Sequence, residues 1–143
     1  MTKVHRHALV RHSAARMFGL VNDVASYPRR FAWCDAARVI EHSETHMLAR
    51  LEVRVGGIPV AFTTRNTLAA PTRIGLHLVD GPFSSLEGQW RFHTLAEDAC
   101  KVSLDLDFVV AGKLMGGALA IAFGGLGDQM LDDFCREADR SDD

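Results

Sequence analysis

The stretch "CKVSLDLDFVVAGKLMGGALAIAFGGLGDQMLDDFCREA", residues 100–138, changes period midway, and that change decides the fold. Over 100–110, Val102, Leu104, Leu106, Phe108 and Val110 alternate with Lys101, Ser103, Asp105 and Asp107. Successive side chains of a strand point to opposite faces, so this is a strand with one apolar and one polar side. Further on, Met115, Leu119, Ala122, Leu126, Met130 and Phe134 recur every three or four positions, which predicts a helix over 114–138. Its solvated end carries Asp132, Asp133, Arg136 and Glu137.

Working backwards, the period of two repeats. In "HMLARLEVRV" (46–55), Met47, Ala49, Leu51, Val53 and Val55 share a face, and Gly56-Gly57 supplies a hairpin turn. "IPVAFTTRNTL" (58–68) returns with Val60, Phe62 and Thr64 on one side. "IGLHLVDGPF" (74–83) and "SSLEGQWRFHTL" (84–95) follow, split by Asp80-Gly81-Pro82. These connections are short, so neighbouring strands should pair as an antiparallel meander.

Near the N-terminus, "KVHRHALVR" (3–11) reads as a strand, and Ser13 suits a helix N-cap. Ala14, Met17, Phe18 and Val21 then form a helical stripe that Asn22-Asp23 can end. The order is one strand, one or two helices, about six strands and one long helix. That is an α+β domain in which a single helix covers the apolar face of an antiparallel sheet.

A curved sheet wrapped round one helix leaves space wherever the helix residues are small. Gly116, Gly117, Gly124, Gly125 and Gly127 are such residues, and glycine inside a helix costs about 0.5–1 kcal/mol against alanine. Two explanations stand side by side: close approach of helix to sheet, and room for a ligand.

Composition narrows the function. The 143 residues suit one domain, 48% hydrophobic and 24% charged, as in a globular protein. A net charge of −2 offers no electrostatic footprint for DNA. Cys34, Cys100 and Cys135 are odd in number and widely spaced, and the N-terminus lacks the apolar run of a signal peptide. Reduced thiols in the cytoplasm are the expectation. The apolar run 114–127 falls short of the roughly 20 residues a membrane span needs.

Residues for catalysis do not converge. His5 and His7 share a strand face without a third ligand at metal-binding spacing, and His77 falls on a polar face. Cys34 lacks a basic neighbour, Ser84-Ser85 lacks a nucleophile elbow, and Asp105 and Asp107 belong to a solvated face. No catalytic or metal site is therefore expected.

The segment "SYPRRFAWC" (26–34) is more informative. It places Tyr27, Phe31 and Trp33 around Pro28, Arg29 and Arg30, between the first helices and the sheet, where Pro28 should keep the chain irregular. One reading is a lid over the mouth of an apolar pocket, with the arginines facing water, anionic lipid head groups or an acidic partner. The other is a hydrophobic plug with two solvated arginines.

Together with "FTTRNTL", "LVDGPFSSLEGQWRF" and "VSLDLDF", this segment resembles the coenzyme-Q-binding proteins of the START-like superfamily. Bacterial members are also called ribosome-association toxins or polyketide-cyclase-like proteins. The resemblance runs from Val4 to about Ala138. Tyr27, Pro28, Phe31, Trp33 and Cys34 match its aromatic motif, and Phe62, Phe83, Leu86, Trp90 and Phe92 match its strand motifs.

It implies a helix-grip fold, a curved antiparallel sheet around a long C-terminal helix with a hydrophobic cavity between them. It also implies non-catalytic binding of ubiquinone or a related polyprenyl lipid, in support of respiration. The alternative partner is the ribosome, whose subunits the protein would keep apart. The expected ligand-binding residues are Tyr27, Pro28, Phe31, Trp33, Leu51, Val53, Phe62, Leu78, Trp90, Phe108, Met115 and Leu119. A quinone carrier would work in the cytoplasm with transient contact at the inner membrane. The glycine-rich 116–127 segment departs from the family, which expects bulkier residues there.

Overall fold

The alternating stretches form seven strands and the helical ones three helices. Thr2–Val10 is β1, Ala14–Asn22 α1 and Tyr27–Arg30 α2. Cys34–His42 is β2, His46–Val55 β3, Ile58–Ala69 β4, Arg73–Asp80 β5, Phe83–Ala96 β6 and Ala99–Val110 β7, before α3 at Gly116–Arg140. The computed structural model describes residues 2–112 and 116–140. Expected ligand residue Met115, like Leu114, lies outside them.

The strands form one antiparallel sheet in the order β1-β7-β6-β5-β4-β3-β2. Short turns make β2 to β7 neighbours in sequence order. β1, separated from β2 by α1 and α2, instead pairs with β7, placing Val4 opposite Leu106 and Ala8 opposite Val102. At the β3–β4 turn, Gly56 (φ 57°) and Gly57 (φ 82°) both take the left-handed conformation of a two-residue hairpin loop.

The expected faces are observed. Met47, Ala49, Val53 and Val55 are buried on β3, and Val102, Leu104, Leu106 and Phe108 on β7. α1 opens as expected, with the Ser13 hydroxyl accepting from the Arg16 N–H at 3.1 Å. Strand β2 carries no legible alternation because its register shifts twice, between Cys34 and Ala36 and between Val39 and Glu41. Each bulge turns the side chains that follow to the other face.

Two expectations need correction. The first part of residues 26–34 is not irregular, since a 3-10 turn over Val24–Ser26 runs straight into α2; only Phe31, Ala32 and Trp33 form a non-helical turn. Pro28 sits in the first turn of α2, where its missing N–H has no helical partner to lose. Secondly, the buried stripe of α3 passes through Phe123, not Ala122. It runs Leu119, Phe123, Leu126, Phe134, with Leu131 and Ala138 beside it.

The C-terminal half of α3 is fastened from several sides. Arg6 reaches Asp132 at 3.0 Å, His12 meets Asp139 at 2.7 Å, and Arg16 donates to the Ala138 carbonyl at 2.9 Å. Close approach explains one helical glycine: a Cβ on Gly127 would stand 3.3 Å from both methyls of Val4. Gly117 and Gly125 face open space instead.

Candidate functional site: an apolar cavity between sheet and helix

Phe123 and Phe134 lie eleven residues apart on α3, about three turns, so both point at the sheet some 16 Å apart along the axis. Each centres an aromatic cluster. Phe123 lies 4.9 Å from Phe83, 5.0 Å from Phe108 and 5.7 Å from Phe62 between ring centres. Phe134 lies 4.8 Å from Phe31, 5.4 Å from Tyr27, 5.3 Å from Trp90 and 6.4 Å from Trp33.

The cavity is bordered by members of both clusters. Phe62 and Phe123 line it from one, Tyr27 and Trp90 from the other. Leu51, Leu76, Leu104 and Leu106 form its sheet wall, and Met130 joins Phe123 on the helix side. Its volume is about 70 Å³. Sites for small molecules usually measure about 300–1,000 Å³, so the lining side chains nearly close this one.

Of the expected ligand residues, Tyr27, Leu51, Phe62 and Trp90 line the cavity. Phe31, Trp33, Val53 and Phe108 are buried but stand outside the lining, as do half-buried Leu78 and buried Leu119. Pro28 is exposed. The aromatic motif thus packs as a plug rather than as a lid. Trp33 stacks on Phe31 at 5.0 Å and donates its indole N–H to Asp133 at 2.9 Å. Its two arginines tie the segment down locally: Arg29 donates to Ser26 at 2.8 Å and Arg30 reaches Asp23 at 3.5 Å. None of Gly117, Gly124, Gly125 and Gly127 lines the cavity.

Thirteen of the described lining residues stand outside the expected ligand set, and four of them bear most on what the cavity can hold. Phe123 was legible in principle, four residues after Leu119 and seven before Met130. The other three, Asn22, Thr64 and Asn66, are the polar members of an otherwise apolar wall. Thr64 and Asn66 point inward from β4, and the Thr64 hydroxyl donates to Asn66 Oδ1 at 2.8 Å. Asn22 ends α1 and also borders an open surface groove formed with His42, Thr45, Leu68 and neighbouring residues. Asn22 is thus the residue shared by the cavity and this groove.

Burial disfavours ionisation of Tyr27, which lines the cavity, and of Cys34 and Cys135, which stand outside its lining. Burial pushes the Tyr27 phenol far above its usual range, and its hydroxyl donates to the Val21 carbonyl. Cys34 and Cys135 are each pushed up to about 11, chiefly by burial. Such thiols carry almost no thiolate at neutral pH and are poor nucleophiles. On the outer face, His5 and Arg91 hold Asp105 below the usual carboxylate range against the opposing effect of burial. Among the described residues, no three His, Cys, Asp or Glu side chains gather as a metal site.

The profile of the family described as "Polyketide cyclase / dehydrase and lipid transport" matches residues 10–135. The chain belongs to this family. Among curated relatives, the "Ribosome association toxin RatA" of Pseudomonas aeruginosa is 43% identical over 137 residues, 96% of this chain and 95% of the relative. The protein of the same name from Vibrio cholerae is 45% identical over 138 residues, 96% of each chain. A START superfamily protein from Mycobacterium smegmatis superposes with a TM-score of 0.83 at 19% identity, covering 96% of this chain and 97% of that one. The helix-grip architecture expected from the sequence is thus that of the START-like family members, and the resemblance to ribosome-association toxins is met by these relatives.

Proposed function

We propose that this family member binds a hydrophobic ligand in the cavity between sheet and α3 and delivers it without transforming it. The observation that carries the reading is the lining: mostly apolar on β3 to β7, with no Asp, Glu, Lys, Arg or His among its described residues. General acid–base chemistry needs a positioned titratable group, and the one that lines the cavity, Tyr27, is committed to a backbone carbonyl. A polyprenyl quinone such as ubiquinone, or a related lipid, is the ligand class proposed. The protein would work in the cytoplasm and collect its cargo at the inner-membrane surface, supporting respiration.

Loading requires the nearly closed cavity to expand. Met130 is the residue suited to yield, because its unbranched thioether side chain changes rotamer at little cost. Organic extraction of the purified protein followed by mass spectrometry is expected to release an isoprenoid. Added short-chain ubiquinone should quench the fluorescence of Trp90, which lines the cavity. Repeated empty extractions, with no quenching on addition, would sink the reading.

A second reading, association with the ribosome, is favoured by the names of relatives 43–45% identical over nearly the whole chain. The arginines that would meet ribosomal RNA are largely neutralised on the surface. Arg50 pairs with Glu52 at 2.7 Å, Arg54 with Asp35 at 3.0 Å and Arg91 with Asp105 at 2.9 Å. Few phosphate contacts mean a shallow salt dependence. Co-sedimentation with ribosomal subunits should therefore survive an increase from 50 to about 200 mM salt; loss of about 10³-fold in affinity over that range would point to dense phosphate contacts instead.

A further inference from the structure

The cavity's polar members are arranged at odds with a purely hydrocarbon ligand. Burying an amide beside apolar side chains is unfavourable unless its hydrogen bonds are met. Thr64 and Asn66 meet this demand between themselves. Asn22 does not: its Oδ1 is buried and has no hydrogen-bond partner among the described residues. The same residue lines both the cavity and the open groove. An unmet acceptor on a residue that borders an apolar cavity is a recognition element waiting for a donor.

We infer that the cavity takes an uncharged apolar molecule carrying a hydroxyl group, which donates its hydrogen bond to Asn22 Oδ1 while its apolar body lies between Phe62, Phe123 and Trp90. The inference rests on the ligand-site reading of the cavity and narrows it. Charge is excluded by the lining, because a buried carboxylate or phosphate would find no counter-charge there. A hydroxyl suits the site because its hydrogen satisfies Asn22, and its oxygen is left to accept from solvent in the groove. Within the quinone class, the reduced hydroquinone has such a donor and the oxidised quinone has none. The oxidised form brings only acceptors and would leave Asn22 Oδ1 without a donor.

The test uses a matched set of ligands and calorimetry. 4-Butylphenol and 4-butylanisole share an apolar body, but only the first donates. The wild-type chain is expected to bind the phenol about five-fold more tightly, the factor that one neutral hydrogen bond supplies. In Asn22→Leu, the preference should disappear, the ratio of phenol to anisole affinity falling to about one. Asn22→Ala serves the same purpose should the leucine variant fail to fold in a thermal melt. 4-Butylbenzoate should bind at least about ten-fold more weakly than the phenol, since its charge has no partner.

Equal wild-type affinities for phenol and anisole would overturn the inference and leave the apolar site standing. So would a phenol preference that survives in both Asn22 variants. Benzoate binding as tight as phenol binding would overturn the exclusion of charge. Failure of both phenol and anisole to bind would remove the ligand site itself, and this inference with it.

Discussion

Phe134→Ala is expected to cost about 3–5 kcal/mol of stability, as for other fully buried phenylalanines. The ring is wholly buried on α3 and touches four aromatic partners from two parts of the chain. Tyr27, Phe31 and Trp33 come from the segment between α1 and β2, and Trp90 from the middle of β6. Removing the ring leaves a void that none of them can fill alone, because each is held elsewhere. Tyr27 is anchored by its hydroxyl to Val21, Trp33 by its indole N–H to Asp133, and Phe31 by stacking on Trp33. In a thermal melt the midpoint should fall by about 10 °C or more. A drop of only a degree or two would mean that the cluster collapses around the void and is not the rigid plug described above.

Gly88→Ala is the second large effect, and its cause is a collision rather than a void. A Cβ at Gly88 would lie 2.3 Å from the carbonyl oxygen of Asp105 and 2.5 Å from Leu106 Cδ2. The leucine methyl can turn aside, but the oxygen belongs to the neighbouring β7 backbone. It moves only if the two strands part, and Gly88 faces Leu106 in the middle of their register. Overpacking of this kind typically costs about 1–3 kcal/mol or more. Gly125→Ala is the matched control, since nothing lies within 4 Å of its added methyl. Alanine is the better helix former there by about 0.5–1 kcal/mol, so that variant should melt higher. If Gly88→Ala melted with the wild type, the close β6–β7 contact would be refuted.

Those two positions also show how far residues alone can be read. Gly88 was legible as an inward position of β6, between Leu86 and Trp90, but nothing local says that Asp105 presses against it. Phe134 was legible as the last member of the α3 stripe. That it gathers Tyr27, Phe31 and Trp33 was not, because those residues lie some hundred positions away. The aromatic motif invited a lid, since Pro28 suggested an irregular chain. The proline instead fits a helix's first turn, and the turn that follows brings Phe31 and Trp33 inward beside Tyr27.

The ligand site divides in the same way. Leu51, Phe62 and Trp90 could be assigned to the cavity from strand alternation, since each lies on the inward face. Val53 and Phe108 share that face yet stand outside the lining. Alternation states which way a side chain points, not whether anything meets it. Asn22 had no sequence signal beyond a place to end α1.

By itself, then, the sequence determined the α+β order, the inward and outward faces of most strands, the Gly56-Gly57 hairpin and the helix that covers the sheet. These depend on dihedral preferences and on periods of 2 and 3.6, which act over a few residues. Only the tertiary structure decided that the aromatic segment is a plug, that Gly117, Gly124, Gly125 and Gly127 stand outside the cavity lining, and that Asn22, with an Oδ1 unmet among the described residues, borders the cavity. Those outcomes depend on how closely distant surfaces approach, and contact distance between residues a hundred positions apart leaves no period along the chain.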